Sequence, residues 1–207
     1  MDHRYSEEIS RILDREARAI TSIPFDDNYS RAVELIHERV HARGGKVIAS
    51  GMGKAGHVAN HIAMTLSSTG TPSLFLHPSE AQHGDLGVIR ENDVLLLLSN
   101  SGRTREILEL VELTHALYAG IPLVIITGNP EGPLARQSDL VLFTGNPEEV
   151  CPLGLTPTTS ATAMTVIGDI LVVLLMKKIG FTSRDYARRH HGGYLGQKSR
   201  ELGHEDH

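Results

Sequence analysis

Between Ser6 and Ile20 the apolar residues Ile9, Ile12, Leu13, Ala17 and Ile20 recur at helical spacing. A second helix is predicted from Tyr29 to Ala42, with Val33, Ile36 and Val40 on one face. Asp26, Asp27 and Asn28 offer N-caps before it, and Gly44-Gly45 ends it. These two helices read as a hairpin for packing or oligomerisation, not as part of a site. The pattern then changes to short apolar runs at Lys46–Ser50, Ser73–His77, Asp93–Leu98, Pro122–Ile126 and Asp139–Phe143, each bounded by polar, Gly or Pro residues. Helical stretches intervene at Ala55–Ser68 and Thr104–Ala119. A long one covers Ser160–Ile179, and a shorter one starts at Ser183, its predicted N-cap.

Apolar strands alternating with helices predict an α/β fold, a parallel five-stranded sheet with helices on both faces. Nothing in the composition breaks the chain, so a single domain over residues 1–200 and a polar tail at 201–207 are expected. The tail is expected to fray from Lys198, with His204 and His207 solvated. Sheets of this kind bind ligands at the carboxyl ends of their strands. The loops after Ser50, His77, Leu98, Ile126 and Phe143 are therefore the places to search.

Composition narrows the ligand. With 207 residues, a net charge of −5, 4% aromatics and no Trp, the chain is poorly suited to phosphate backbones or stacked bases. No nucleic-acid partner is expected. Cys151 stands alone and reads as a small buried hydrophobe with no pattern that activates it. The amino-terminal segment lacks a signal-peptide core, and the apolar run Ile170–Met176 is too short for a bilayer. A cytoplasmic protein without membrane contact is expected.

The loop Ser99-Asn100-Ser101-Gly102-Arg103-Thr104 joins an apolar strand to a helix. Hydroxyls at 99, 101 and 104 can converge on one anion, and Gly102 lets backbone N–H groups turn inward at the positive helix end. A plain N-cap by Thr104 or Ser101 is the simpler alternative. The loop Ser50-Gly51-Met52-Gly53-Lys54-Ala55-Gly56 matches the G-x-G-x-x-G spacing, but His77 stands where a dinucleotide site needs an acid. Gly51 and Gly53 are read as letting a substrate approach the backbone, with Lys54 reaching one of its oxygens. His57 and His61 have metal-ligand spacing but no Glu or Cys completes a pattern, so no metal is expected.

Four blocks carry a resemblance: GMGKAGHVANHIAMTLSSTGTPSLFLHPSEAQHGDLG, LLLLSNSGRTREI, EEVCPLGLTPTTSATAM and ARRHHGGYLG. Together, from about Ile9 to Gly196, they resemble the arabinose 5-phosphate isomerases of the sugar-isomerase (SIS) superfamily, whose sandwich is flavodoxin-like. The resemblance implies interconversion of ribulose 5-phosphate and arabinose 5-phosphate. That activity would feed synthesis of the eight-carbon acid Kdo for lipopolysaccharide or capsule. It also implies a homotetramer with sites shared between subunits, and no cofactor. Lys54, His83, Glu106, Glu149 and His190 would surround the sugar. Ser99, Ser101 and Thr104 would hold its phosphate, with Ser50 nearby. Independently of the resemblance, Thr158 to Ser160 open the long helix and can cap it, touch substrate, or both, with capping alone the simpler reading. Many members continue into a pair of cystathionine-β-synthase-type domains, whereas this sequence stops. Feedback is then expected from Kdo, or its nucleotide-activated form, entering the sugar site. His191 replaces a usual Pro, and Arg103 a common acid.

The chemistry needs a base, a proton donor and a group that holds an enediolate. Glu149 and His190 are both candidates for the base, because either can titrate near neutrality when partly buried. Lys54 suits the electrophile, His83 a proton shuttle to the ring or carbonyl oxygen, and Glu106 the positioning of hydroxyls. Another phosphosugar isomerase, or a sensor that binds without turnover, would share the serine loop. The sensor would not need the acid–base set.

Overall fold

The computed structural model describes residues 3–205. It opens with α1 (His3–Thr21) and α2 (Asp27–Ile36), the latter capped by the Asp26 side chain and continued by a π-helical turn, His37–Ala42. The strands are β1 (Val47–Gly51), β2 (Ser73–Phe75), β3 (Val94–Leu98), β4 (Leu123–Thr127) and β5 (Leu140–Phe143). Between them lie α3 (Gly53–Ser68), α4 (Pro78–Ala81), a 3-10 turn (Asp85–Val88), α5 (Arg105–Leu117) and α6 (Pro133–Gln137). After the sheet come α7 (Thr159–Lys178), α8 (Ser183–Ala187) and α9 (Gly193–Glu205).

All five strands run parallel in the order β2-β1-β3-β4-β5. Strand side chains alternate between faces, so the sheet divides two cores. Val47, Ala49, Leu96, Leu98, Val124 and Ile126 pack under α2, α3 and α7. Ile48, Leu95, Leu97 and Ile125 pack under α5 and α6. Every residue of β1, β3 and β4 is buried, which is why their sequences read as continuous apolar runs. At the amino edge the fully buried Asp93 carboxylate accepts from the Lys46 N–H (2.9 Å), the Arg90 N–H (2.7 Å) and Lys46 Nζ (2.7 Å). It ties the starts of β1 and β3 together.

Several expectations are corrected. The first two helices do serve packing, both resting on α7 and α2 also on β5, but α1 further reaches the loop that carries Glu149. Thr182, not Ser183, caps α8, in a reciprocal capping box with Asp185. The segment expected to fray from Lys198 is carried by α9, while residues 206–207, including His207, lie outside the described residues. The short α4 and α6 start at Pro78 and Pro133, the pre-organised first helical position. α7 is long and apolar enough to cross a membrane by length and composition. Its apolar stretch is thus longer than Ile170–Met176, yet it packs against α1, α2, α3 and β4 as the core helix.

α3 and α7 meet at one tight point. A Cβ on Gly168 would collide with Cγ1 and Cδ1 of Ile62, so only glycine lets the helices approach this closely. Gly168→Ala is expected to cost about 1–3 kcal/mol in urea unfolding. The Ile62→Ala/Gly168→Ala double variant should be more stable than the sum of the two single losses predicts. Strict additivity would show that the contact is not the cause.

Candidate active site

At the carboxyl edge of the sheet lies a cleft of about 530 Å³. Its walls are largely the first turns of helices. Met52, Lys54 and Ala55 come from the start of α3, Thr104 from the start of α5, and Pro157, Ser160, Ala161 and Met164 from the start of α7. Ser99, Asn100 and Ser101 follow β3, Gly128 and Asn129 follow β4, and Asn146 follows β5. Parallel strands necessarily deliver the helices that follow them with their N-termini at this edge.

The loop between β3 and α5 is built for an anion. Ser99 Oγ and Thr104 Oγ1 lie 2.8 Å apart, and the Arg103 N–H donates to Ser101 Oγ at 3.2 Å. Gly102 turns with φ +63°, its N–H donating to the Ser99 carbonyl at 3.1 Å. Thr104 occupies the N-cap position of α5 without making a side-chain cap bond. The plain N-cap alternative is therefore excluded for Thr104, and the first-turn N–H groups of α5 have no capping side chain. Asn129 Nδ2 donates to the Ser101 carbonyl at 2.9 Å and braces the loop from behind.

The glycine loop works differently from its reading in the sequence. A Cβ on Gly51 would press on the backbone of Ala55 and Gly56 at 2.9 Å, so Gly51 lets β1 and α3 pack closely. It does not open a path for substrate. Gly53 holds φ +56° at the start of α3, where an added Cβ would meet open space. Ser50 is fully buried and its hydroxyl donates to the Leu76 carbonyl at 2.7 Å, so it does not face the cleft. Lys54 is exposed on the cleft wall and is the charged side chain among those lining it.

Glu149 lies beside the cleft, tied to the start of α7. Its Oε2 accepts from the Thr158 N–H (2.7 Å), the Thr158 hydroxyl (2.9 Å) and the Ser160 N–H (3.3 Å). Burial pulls this carboxyl upward, but hydrogen bonds from Ser160 and Thr158 outweigh it and hold the group below its ordinary 4.5. A Glu149 that titrates near neutrality is thus corrected to one that stays ionised. Thr158, at the N-cap position of α7, spends its hydroxyl on this carboxylate instead of capping the helix itself or lining the cleft.

Helix α1 also serves this corner. Arg15 donates to the Glu149 carbonyl at 2.9 Å, and Glu16 Oε1 accepts from Thr159 Oγ1 at 3.1 Å. The amino-terminal helix therefore clamps the loop that carries Glu149. Cys151 in the same loop is half-buried and not the buried hydrophobe expected. The Thr156 hydroxyl and N–H, with the N–H groups of Leu153 and Leu155, push its thiol down to about 6.

Three more of the expected residues are not brought into the cleft. Glu106 is half-buried in the first turn of α5 but does not line it. His83 is exposed in the turn after α4, outside the lining. His190 lies beyond α8, its ring stacked 3.7 Å from that of Tyr186 and its Nδ1 3.1 Å from the Tyr186 carbonyl. The cleft reaches along α7 as far as Met164, whereas α8 and α9 pack near its other end, around Met176, about 18 Å of helix away. Among the described residues no cluster of three metal-ligating groups is present. The sequence reading missed Asn129, Asn146, Gly128 and Met164, although the first three follow strands β4 and β5 where the carboxyl-edge rule directs attention.

Comparison with known proteins identifies the family of this fold. A family model described as the SIS domain matches residues 41–174, which take in every strand and most of α7. The arabinose 5-phosphate isomerase KdsD of Pseudomonas aeruginosa is 47% identical over 186 residues, 90% of this chain and 55% of its own. The chain thus spans about half the length of the curated relatives it matches. A Bacteroides fragilis structure assigned as a phosphosugar isomerase involved in capsule formation superposes with TM-score 0.91 at 60% identity. That match covers 92% of this chain and 99% of the other. An Escherichia coli protein solved in complex with arabinose 5-phosphate superposes at 0.84 with 32% identity, over 92% of this chain and 99% of its own. With a family match across the whole sheet and a likeness at 60% identity over 92% of the chain, the chain belongs to the SIS domain family.

Proposed function

We propose that the chain is an aldose–ketose isomerase that interconverts D-ribulose 5-phosphate and D-arabinose 5-phosphate and so supplies Kdo synthesis. The observation that carries this reading is the uncapped start of α5, ringed by Ser99, Ser101 and Thr104, in the same cleft as Lys54. The first fits a phosphate dianion and the second a developing enediolate. The names of the similar proteins select the sugar.

In the ketose-to-aldose direction a base takes a proton from C1 of ribulose 5-phosphate. The carbonyl at C2 becomes part of a cis-enediolate, whose charge Lys54 holds. A proton passes from the C1 hydroxyl to the C2 oxygen, and return of a proton to C2 gives the aldose. Glu149 is held ionised by α7, so its role here is to fix the Thr158–Ser160 backbone and to present negative charge beside the substrate. His190 then remains as the base, and it must come from elsewhere, because its own chain holds it at the far end of α7. A second copy supplies it, and His83 in the same manner, within a homotetramer. Exposed apolar side chains support such an assembly: Tyr5, Ile9 and Leu13 on α1, and Leu153 and Leu155, 76% and 79% exposed, beside the site.

The reading is tested by incubating the protein with ribulose 5-phosphate in deuterated water and following the mixture by NMR. Deuterium is expected at C2 of arabinose 5-phosphate; binding without turnover would leave a sensor. Added Kdo is expected to slow the exchange by competition, and no effect would remove it as a ligand of the sugar site. For the shared site, His190→Ala and Lys54→Ala should each lose about 10²–10⁴-fold in rate. Mixing the two under mild dissociation should restore activity, and no recovery would place both groups in one chain's site. Glu149→Gln should lower stability by about 1 kcal/mol at neutral pH, the size of a lost helix cap. Because the folded carboxyl lies below 4.5, that difference should persist above pH 4.5 and vanish as pH falls through the lower value. A pH-independent difference in urea midpoint would sink the assignment.

A further inference from the structure

Two side-chain carbonyl oxygens, one of them buried and unpaired, lie close to Gly128. A Cβ on Gly128 would collide with Asn100 Oδ1 and lie 3.1 Å from Asn146 Oδ1, so both oxygens converge over one Cα. Asn100 Oδ1 is buried and lacks a hydrogen-bond partner among the described residues. Both asparagines line the cleft, one after β3 and the other after β5. Buried acceptors are normally paired, and an orphan in a ligand cleft marks a place where the ligand donates. The neighbouring hydroxyls and N–H groups of the α5 loop suit an anion, whereas carbonyl oxygens repel one. The donor these oxygens await is therefore a neutral hydroxyl.

Asn146 has φ +49°, a left-handed conformation that asparagine tolerates and glycine prefers. Conformation alone does not account for its side-chain oxygen lying over Gly128 beside that of Asn100. We propose that Asn100 and Asn146 form an acceptor pair that receives a hydroxyl of the polyol chain whose phosphate rests on the Ser99–Thr104 loop. The pair determines specificity, because a substrate without that hydroxyl leaves the buried Asn100 oxygen unpaired. Gly128 is required because any side chain there would fill the space between them. This inference rests on the sugar-phosphate reading above.

The test is calorimetric binding of inorganic phosphate and of arabinose 5-phosphate to the wild-type chain, Asn146→Gly and Asn100→Ala. Glycine at 146 suits the positive φ, so that variant removes the side chain without straining the turn. Each variant should bind inorganic phosphate within about twofold of wild type and arabinose 5-phosphate about tenfold more weakly. Unchanged sugar-phosphate binding by Asn146→Gly would overturn the proposal and leave Asn146 a turn residue. An equal loss for phosphate would also overturn it, as would a wild-type chain that binds the sugar no tighter than phosphate. If the expected pattern holds but no deuterium exchange occurs, the acceptor pair stands and the isomerase reading alone fails.

Discussion

Three positive helix ends meet at one edge of the sheet, and the rest of the site follows from what neutralises them. A parallel sheet cannot avoid this, because the helix after each strand starts where the strand stops. The starts of α3, α5 and α7 all reach the same cleft, and their N-cap residues Met52, Thr104 and Thr158 make no side-chain cap bond. For α7 the chain supplies its own anion, the Glu149 carboxylate. For α3 and α5 no acidic group lines the cleft, and Lys54 adds further positive charge. A chain with net charge −5 thus has a local field that favours a dianion.

The opposite edge of the sheet is organised by the reverse logic. There a single buried carboxylate, Asp93, gathers two backbone N–H groups and an ammonium, and satisfies them within the chain. Strand starts are closed and strand ends are left open. The same five strands therefore bear stability at one edge and binding at the other.

Much of this was legible in the sequence, for physical reasons that differ by element. Runs such as Val94–Leu98 announce strands covered on both faces, and Gly102 among hydroxyls announces an anion loop. Ser50 misled because a hydroxyl after a strand looks the same whether it faces a ligand or, as here, the Leu76 carbonyl. Glu149 misled because the groups that hold its carboxyl down, at Thr158 and Ser160, are those of a helix start whose contacts spacing does not reveal. Cys151 misled for a similar reason, since backbone N–H groups leave no trace in residue type. Asn146 was missed because its side-chain oxygen acquires meaning only beside Asn100 and Gly128, which lie on two other strand ends. His190 was read as a candidate base, but the fold of one chain does not carry it to the cleft.

The contact between Gly168 and Ile62 also acts at a distance. Gly168 lies nine residues along α7 from Thr159, about 14 Å of rigid helix. A helix transmits axial displacement with little loss, so the pair works as the fulcrum of a lever. Its short arm is a contact too tight for a methyl group, and its long arm ends at the backbone groups that grip Glu149. The positional tolerance of the active site is thus set in part by a point that no substrate approaches, and natural variation at 62 and 168 should be correlated and narrow.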